Sequence, residues 1–226
     1  MSPLAVRNSE IINLKHFDIE NFFYTDSPFF KLFCVKEYFI VFVEKILALL
    51  LLIFLFPLFV FVAAMIYVTM GPKVIYSQLR VGRNGKEFLI YKFRTMMVNA
   101  ERLSGPVLAT TDDKRVTDIG KILRASHLDE LPQLYNVLKD DMSFIGPRPE
   151  RPEFVKQFSK EIQDYEYRHI IRPGITGLAQ ICLPYNASAK DKLEYDRYYI
   201  DNSQSLFFNI FIGLYTGFKM LTFFRE

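Results

Sequence analysis

The sequence predicts an α+β, predominantly helical protein attached to a membrane, and three observations carry that reading. No charged residue occurs from Ile46 to Met70, a run long enough to cross a bilayer. Lys73 to Leu79 and Phe88 to Phe93 read as two strands around Asn84-Gly85, a strong hairpin-turn signal. Further on, apolar residues recur at helical spacing, as in Leu131, Leu134, Tyr135 and Leu138.

Composition narrows the function classes. Half of the 226 residues are apolar and 16% are aromatic, mostly Phe, and their uneven placement points to lipid. A formal charge of +3 is too small to argue for nucleic acid. Cys34 and Cys182 form neither a disulfide framework nor a zinc spacing, so a reducing, cytoplasm-facing setting is the default. His16, His127 and His169 are scattered and form no metal-binding pattern.

In chain order, residues 1–30 mix charge with Phe without a sustained period and read as a loosely structured or surface-lying extension. They do not resemble a cleaved signal, because the apolar run starts too late. Pro57, near the middle of the apolar run, removes a helix hydrogen bond and kinks the chain. Two readings follow: a kinked spanning helix, or one that enters the bilayer and turns back. Length favours the first. Basic residues on both flanks (Lys31, Lys36 and Lys45 before; Lys73, Arg80, Arg83 and Lys86 after) fit two cytoplasmic ends and favour the second. Gly71-Pro72 ends the segment. After the hairpin, Tyr91-Lys92-Phe93-Arg94-Thr95-Met96 offers alternating bases to an anionic ligand, or is an ordinary strand edge. Gly105 to Thr117 is a polar loop. Thr117 caps a helix bearing Ile119, Ile122 and Leu123, which delivers Arg124 to the next segment.

That segment is Leu128-Asp129-Glu130-Leu131-Pro132-Gln133-Leu134. Pro132 fits only a first helical turn, so Asp129 and Glu130 sit at a helix N-terminus. Unpaired N–H groups and the positive dipole end keep a carboxylate ionised there and attract phosphate. An aspartate so held can attack phosphorus while its neighbour holds a metal; such a pair is also a common helix cap. Arg148 in Gly146-Pro147-Arg148-Pro149 and Arg172 in Arg172-Pro173-Gly174 lie in proline-stiffened loops; each alone is more often a plain loop, but together beside Asp129-Glu130 they suit bidentate binding of a diphosphate. Residues 153–170 and 187–200 read as charged, Tyr-rich helices. From Ser203 to Phe224 a greasy helix carries Ser205, Asn209, Gly213, Thr216 and Lys219 as a polar stripe, suiting a helix in the membrane surface or packed on the protein, with a plain spanning helix as the alternative.

Four of these stretches, in this order, resemble the bacterial sugar transferase family, the monotopic polyprenyl-phosphate phosphoglycosyl transferases. They are Tyr91–Met96, Leu128–Leu134, Asp141–Pro149 and Arg172-Pro173-Gly174-Ile175-Thr176-Gly177-Leu178-Ala179-Gln180, and the likeness covers about residues 38–224. The resemblance implies transfer of a sugar-1-phosphate from a UDP-sugar to undecaprenyl phosphate, with Mg²⁺, opening the assembly of an exopolysaccharide, capsule, O-antigen or glycoprotein glycan. It implies Asp129 as nucleophile forming a phosphoryl-aspartate, Glu130 tied to the metal together with Asp129, and UMP as the leaving group. It further implies a re-entrant helix bent at Pro57, both ends cytoplasmic, at the inner membrane's cytoplasmic face. This reverses the preference for a span. Lys92, Arg124, Arg148 and Arg172 are the expected phosphate contacts, and downstream glycosyltransferases are candidate partners. The resulting division is an extension (1–37), a re-entrant membrane helix (38–72) and a cytoplasmic transferase domain with an interfacial C-terminal helix (73–226).

The chain departs from the family pattern at three places. His127 stands where Ser is frequent, and Phe56 replaces the Ser that often precedes the bend proline. Ile181-Cys182-Leu183-Pro184-Tyr185 replaces a Gly-Arg segment, which leaves sugar specificity open. Larger members carry upstream spanning helices and a nucleotide-fold domain, for which this chain has no room. A glycosidase reading is disfavoured, because adjacent carboxylates cannot flank a sugar ring from opposite faces.

Overall fold

A computed structural model describes residues 37–98, 100, 113–184 and 186–223. The N-terminal extension up to residue 36, most of the polar loop and Tyr185 fall outside them. The order is α1 (Glu37–Phe54), α2 (Phe56–Met70), β1 (Ile75–Val81), β2 (Glu87–Phe93), α3 (Asp118–Ala125), a 3₁₀ turn (Leu128–Glu130), α4 (Gln133–Leu138) and β3 (Ser143–Ile145). There follow α5 (Pro152–Glu161), a second 3₁₀ turn (Tyr165–His169), β4 (Gly174–Thr176), α6 (Leu178–Cys182), α7 (Ala189–Asn202) and α8 (Leu206–Phe223). The fold is α+β and mostly helical, with two small sheets.

The apolar run is two helices, not one. The chain breaks at Leu55, and Pro57, with no N–H to give, occupies the first turn of α2. The pair is bent by 61°, and Leu55 spans the break by donating to Leu51 O and accepting from Phe59 N. Among the described residues no single helix is long and apolar enough to cross a membrane; α1 and α2 pass that test only together, by length and composition.

The bent pair packs one side on the rest of the chain. Ala48 of α1 joins Phe88, Ile90, Val137 and Met142 in one core; Val62 and Ile66 of α2 join Phe93 and Leu123 in another. The other side stays bare: Phe42, Leu50, Ile53, Phe54, Phe56 and Phe61 are among its exposed residues. A third core of Leu178, Ile181, Tyr199, Phe208 and Ile212 joins α6, α7 and α8. The polar stripe of α8 faces this body rather than solvent. Tyr199 Oη donates to Asn209 Oδ1 at 2.8 Å, the Thr176 and Thr216 hydroxyls bond at 2.9 Å, and Lys219 Nζ donates to Ile181 O at 2.9 Å. Ile210, Leu214 and Phe218 on the same helix are exposed.

The hairpin forms where expected, shifted two residues onward in its first strand. β1 and β2 pair antiparallel from Ile75↔Phe93 to Val81↔Glu87. Asn84 and Gly85 both turn through positive φ (55° and 75°), a conformation that Asn and Gly tolerate best. Thr117 caps α3, its hydroxyl accepting from Gly120 N at 3.0 Å. The helix expected over 153–170 is interrupted: α5 ends at Glu161, and Asp164 takes φ 55° before the second 3₁₀ turn. β3 and β4 pair in parallel, Ser143↔Gly174 and Ile145↔Thr176. Their backbones approach so closely that a Cβ on Gly174 would sit 2.1 Å from Gly146 N, which fixes glycine in both arginine motifs.

Candidate active site

The acidic pair lies on the 3₁₀ turn between α3 and α4. His127, at φ 55°, reverses the chain into that turn, a backbone position that His accepts more readily than bulkier side chains. Pro132 precedes α4, which is only six residues long, so the pair stands one short turn ahead of the α-helix rather than within its first turn. The rotation of α4 also differs from expectation. Tyr135 is 51% exposed, while Gln133 and Asn136 are buried with Leu134 and Val137. The cause is β2. Asn136 accepts from Tyr91 N at 3.1 Å and donates to Leu89 O at 2.7 Å, so its amide stands in for a third strand along β2. Tyr135 instead meets Tyr91 edge-on, ring centroids 5.7 Å apart.

This docking sets Lys92 of β2 against the turn. Lys92 Nζ lies 2.6 Å from Glu130 Oε1, and Arg148 Nη2 reaches the same oxygen at 2.7 Å. Burial would raise the Glu130 carboxyl, but Arg148 and Lys92 outweigh it and hold the group well below the usual carboxylate range. Burial in turn lowers the Lys92 ammonium, with Glu130 opposing. Asp129 is different. It is 7% exposed, and no described residue hydrogen-bonds its carboxylate. Burial pushes its pKa up and Glu130 adds to this, while Lys92, Arg148 and Arg124 pull it back. The result is a buried, unbonded carboxylate beside a carboxylate already fixed by two cations.

The expected site residues divide. Asp129, Glu130, Lys92 and Arg148 come together. Arg124 stands close enough to act on Asp129 electrostatically, its Nε donating to Thr95 Oγ1 at 3.0 Å. Arg172 is committed elsewhere: it is 8% exposed and donates to Glu44 of α1 at 2.9 Å and to Asp140 at 3.1 Å. Arg94, the other base in the Tyr91–Met96 stretch, donates to Met70 O and, at 3.2 Å, to Gly71 O, where its charge complements the C-terminal end of α2. Pro57 sits at the bend, as described above. Sequence reasoning missed Asn136, Glu44, and the buried pair of Arg168 and Asp196. Glu44 left a signal: it is an acidic residue inside a helix that is otherwise largely apolar.

No group of three His, Cys, Asp or Glu side chains stands together among the described residues. A Mg²⁺ ion does not need one, since it is commonly held by one or two carboxylates, waters and substrate phosphates. The unbonded Asp129 carboxylate next to Glu130 fits that donor set.

Fold and site together define an α+β protein with a proline-broken apolar helix pair docked against a buried, cation-flanked Asp-Glu pair. The chain belongs to the bacterial sugar transferase family, whose sequence profile matches residues 35–223. It is 48% identical over 169 residues to an Aeromonas hydrophila UDP-N-acetylgalactosamine-undecaprenyl-phosphate N-acetylgalactosaminephosphotransferase, covering 74% of this chain and 40% of that one. A putative undecaprenyl-phosphate N-acetylgalactosaminyl 1-phosphate transferase of Bacillus subtilis is 55% identical over 100 residues, 44% of this chain and 55% of that one. The exopolysaccharide production protein ExoY of Sinorhizobium fredii is 37% identical over 173 residues, 70% of this chain and 75% of its own. The matched part is thus well under half of the Aeromonas relative and three quarters of ExoY.

Proposed function

We propose that this chain is a phosphoglycosyl transferase that moves a sugar-1-phosphate from a UDP-sugar to undecaprenyl phosphate and releases UMP. The observation that carries this reading is Asp129: a buried carboxylate with no hydrogen bond from any described residue, among Lys92, Arg148 and Arg124. Those cations favour the carboxylate form and would neutralise an incoming diphosphate. An Asp129 oxygen attacks the sugar-side phosphorus, the bond from that phosphorus to the bridging oxygen breaks, and UMP leaves. The polyprenyl phosphate oxygen then attacks the acyl phosphate, forming the lipid diphosphate sugar and restoring the carboxylate. Two half-reactions let a soluble donor and a lipid acceptor use one site in turn.

Mg²⁺, held by Glu130 and Asp129, would supply charge neutralisation at the diphosphate. Glu130 keeps Lys92 and Arg148 in register beside the nucleophile. The bare apolar side of α1 and α2 and the exposed side of α8 suit a membrane, with the bend at Pro57 making a re-entrant loop on the inner membrane's cytoplasmic face. Names of relatives support the substrate class, and the N-acetylgalactosaminyl group named for two of them, with the UDP-linked donor named for one, makes UDP-N-acetylgalactosamine the first donor to try.

The test is a panel of UDP-sugars with Mg²⁺, quenched and read by intact-protein mass spectrometry. Without lipid, the protein should gain one sugar-phosphate on Asp129 and release one UMP. No adduct, together with UMP release only when lipid is present, would replace this scheme by direct transfer.

A further inference from the structure

The Arg148 loop is held by an unusual run of tethers. Four consecutive carbonyls are each taken by a donor: Pro147 O by Gly174 N at 3.0 Å, Arg148 O by Arg168 Nη2 at 2.9 Å, Pro149 O by Arg80 Nη1 at 3.0 Å, and Glu150 O by Val81 N at 2.9 Å. The tether at Arg148 itself comes from a side chain that is 5% exposed. Arg168 is in turn fixed by Asp196 of α7, 2% exposed, whose Oδ2 accepts from Nη2 at 2.8 Å and from Nε at 3.1 Å. Its remaining nitrogen, Nη1, donates to Tyr165 Oη at 2.7 Å. Every nitrogen of this guanidinium is engaged, so its direction toward Arg148 O is determined on three sides.

A buried ion pair is a poor way to gain stability, since well-packed apolar residues of similar size often serve as well or better. What apolar residues cannot do is bond a carbonyl at a chosen place. We propose that Arg168 and Asp196 are positioning residues for the transfer reaction, fixing the backbone of Arg148 so that its guanidinium meets Glu130 and the substrate phosphates. The chain of contacts is continuous: Asp196 orients Arg168, Arg168 holds Arg148 O, and the Arg148 side chain reaches Glu130 at 2.7 Å. Proline on either side of Arg148 stiffens the same loop, yet leaves its position relative to α7 to be set by this contact. This inference rests on the phosphoglycosyl transferase reading for the role of Arg148, but the geometry it describes does not.

The test removes both charges at once with Arg168→Met and Asp196→Leu, which leaves no buried unpaired ion. A second variant, Arg168→Lys, keeps the charge for Asp196 but lacks the fork that joins Asp196 to Arg148 O. Two measurements are made on the full chain. Hydrogen exchange of the peptide spanning 145–151 should quicken by about tenfold in either folded variant, while the α6–α8 core keeps its protection. The kcat/KM for the UDP-sugar should fall about tenfold or more, and in an Arg148→Met background the same changes should cost less than about twofold, because the effect runs through Arg148. Equal losses in both backgrounds would make the pair merely structural and overturn the proposal, as would unchanged loop exchange. If the wild-type protein turns over no UDP-sugar, the transferase reading fails. The exchange measurement then still decides whether this pair holds the loop.

Discussion

Arg172 of the Arg-Pro-Gly loop donates to Glu44 of α1 at 2.9 Å, and so joins the apolar helix pair to the β3–β4 unit. Glu44 also accepts from the Ser143 hydroxyl and from Phe144 N at 3.0 Å, so one carboxylate takes three groups from the domain. Removing Arg172 leaves Glu44 a buried charge without a cation, which costs about 3–5 kcal/mol, whereas removing Glu44 leaves Arg172 its second partner, Asp140, at 3.1 Å. Arg172→Met should therefore lower the denaturation midpoint strongly, and Glu44→Leu should lower it less. The double variant should be less destabilised than the sum of the two. Unfolding in detergent, followed by circular dichroism, measures this; midpoints unmoved by the single changes would show that the helix is held by apolar packing alone.

Arg148 gives the opposite expectation. Its side chain is 40% exposed and reaches Glu130 from outside the core. Arg148→Lys should therefore leave the unfolding midpoint near that of the wild type. Lysine lacks the planar fork, so kcat/KM for the UDP-sugar should fall by about 10²-fold, the scale found when one charge-stabilising donor is lost. Steady-state UMP release tests this, and a Lys variant with unimpaired kcat/KM would remove Arg148 from the phosphate site.

Asp129→Asn separates stability from function. Burial raises the Asp129 pKa in the folded chain, so its charged form costs stability at neutral pH. The sign follows: a folded pKa above the unfolded one means that the neutral form is the better-tolerated one. The neutral amide introduced by Asp129→Asn should leave the midpoint unchanged or raised, while the covalent adduct and turnover vanish. A variant that unfolds easily would point to a structural role for the carboxylate, and one that turns over normally would end the proposed mechanism.

Much of the fold could be read from local chemistry. Asn84-Gly85 announced the hairpin because its conformation demands residues that tolerate positive φ, and Thr117 announced α3 because its hydroxyl accepts from a free N–H. Asp129, Glu130, Lys92 and Arg148 were legible through their stretches. The residues that escaped are those whose role depends on distant partners. Tyr135 fits the apolar period of α4, yet the helix is turned so that Asn136 can satisfy Leu89 and Tyr91. Arg172 sits in a stretch that reads as a phosphate loop, but the carboxylate that claims it lies 128 positions away. Arg168 and Asp196 look like charges on solvated helices and prove to be buried against each other.

Asn136 offers a test of that rotation. Its amide satisfies one N–H and one C=O of β2, and truncation leaves both without these partners in a part-buried place. Asn136→Ala should cost about 1–3 kcal/mol, the scale of stranding buried polar groups. Because β2 carries Lys92, donor KM should rise as well. If equilibrium unfolding shows no loss, the strand edge is satisfied by water and the helix orientation has another cause.

Topology is the last expectation, and the bend at Pro57 makes it testable. A pair of helices bent by 61° is compatible with a broken span or with a re-entrant loop. Lysines on both flanks favour the second, since a span would carry one basic flank across the membrane. The two cysteines provide the probe. Cys34 precedes α1, outside the described residues, and Cys182 lies buried in the core. Burial pushes the Cys182 thiol up to about 12, so it holds little thiolate for a maleimide to attack; Cys182→Ala removes what remains. In spheroplasts of a bacterial host, a membrane-impermeant maleimide should leave Cys34 unlabelled until the membrane is opened, and should then label it. Labelling of Cys34 while an internal control protein stays unlabelled would mean that α1 and α2 cross the bilayer, and that the extension and the catalytic domain lie on opposite sides.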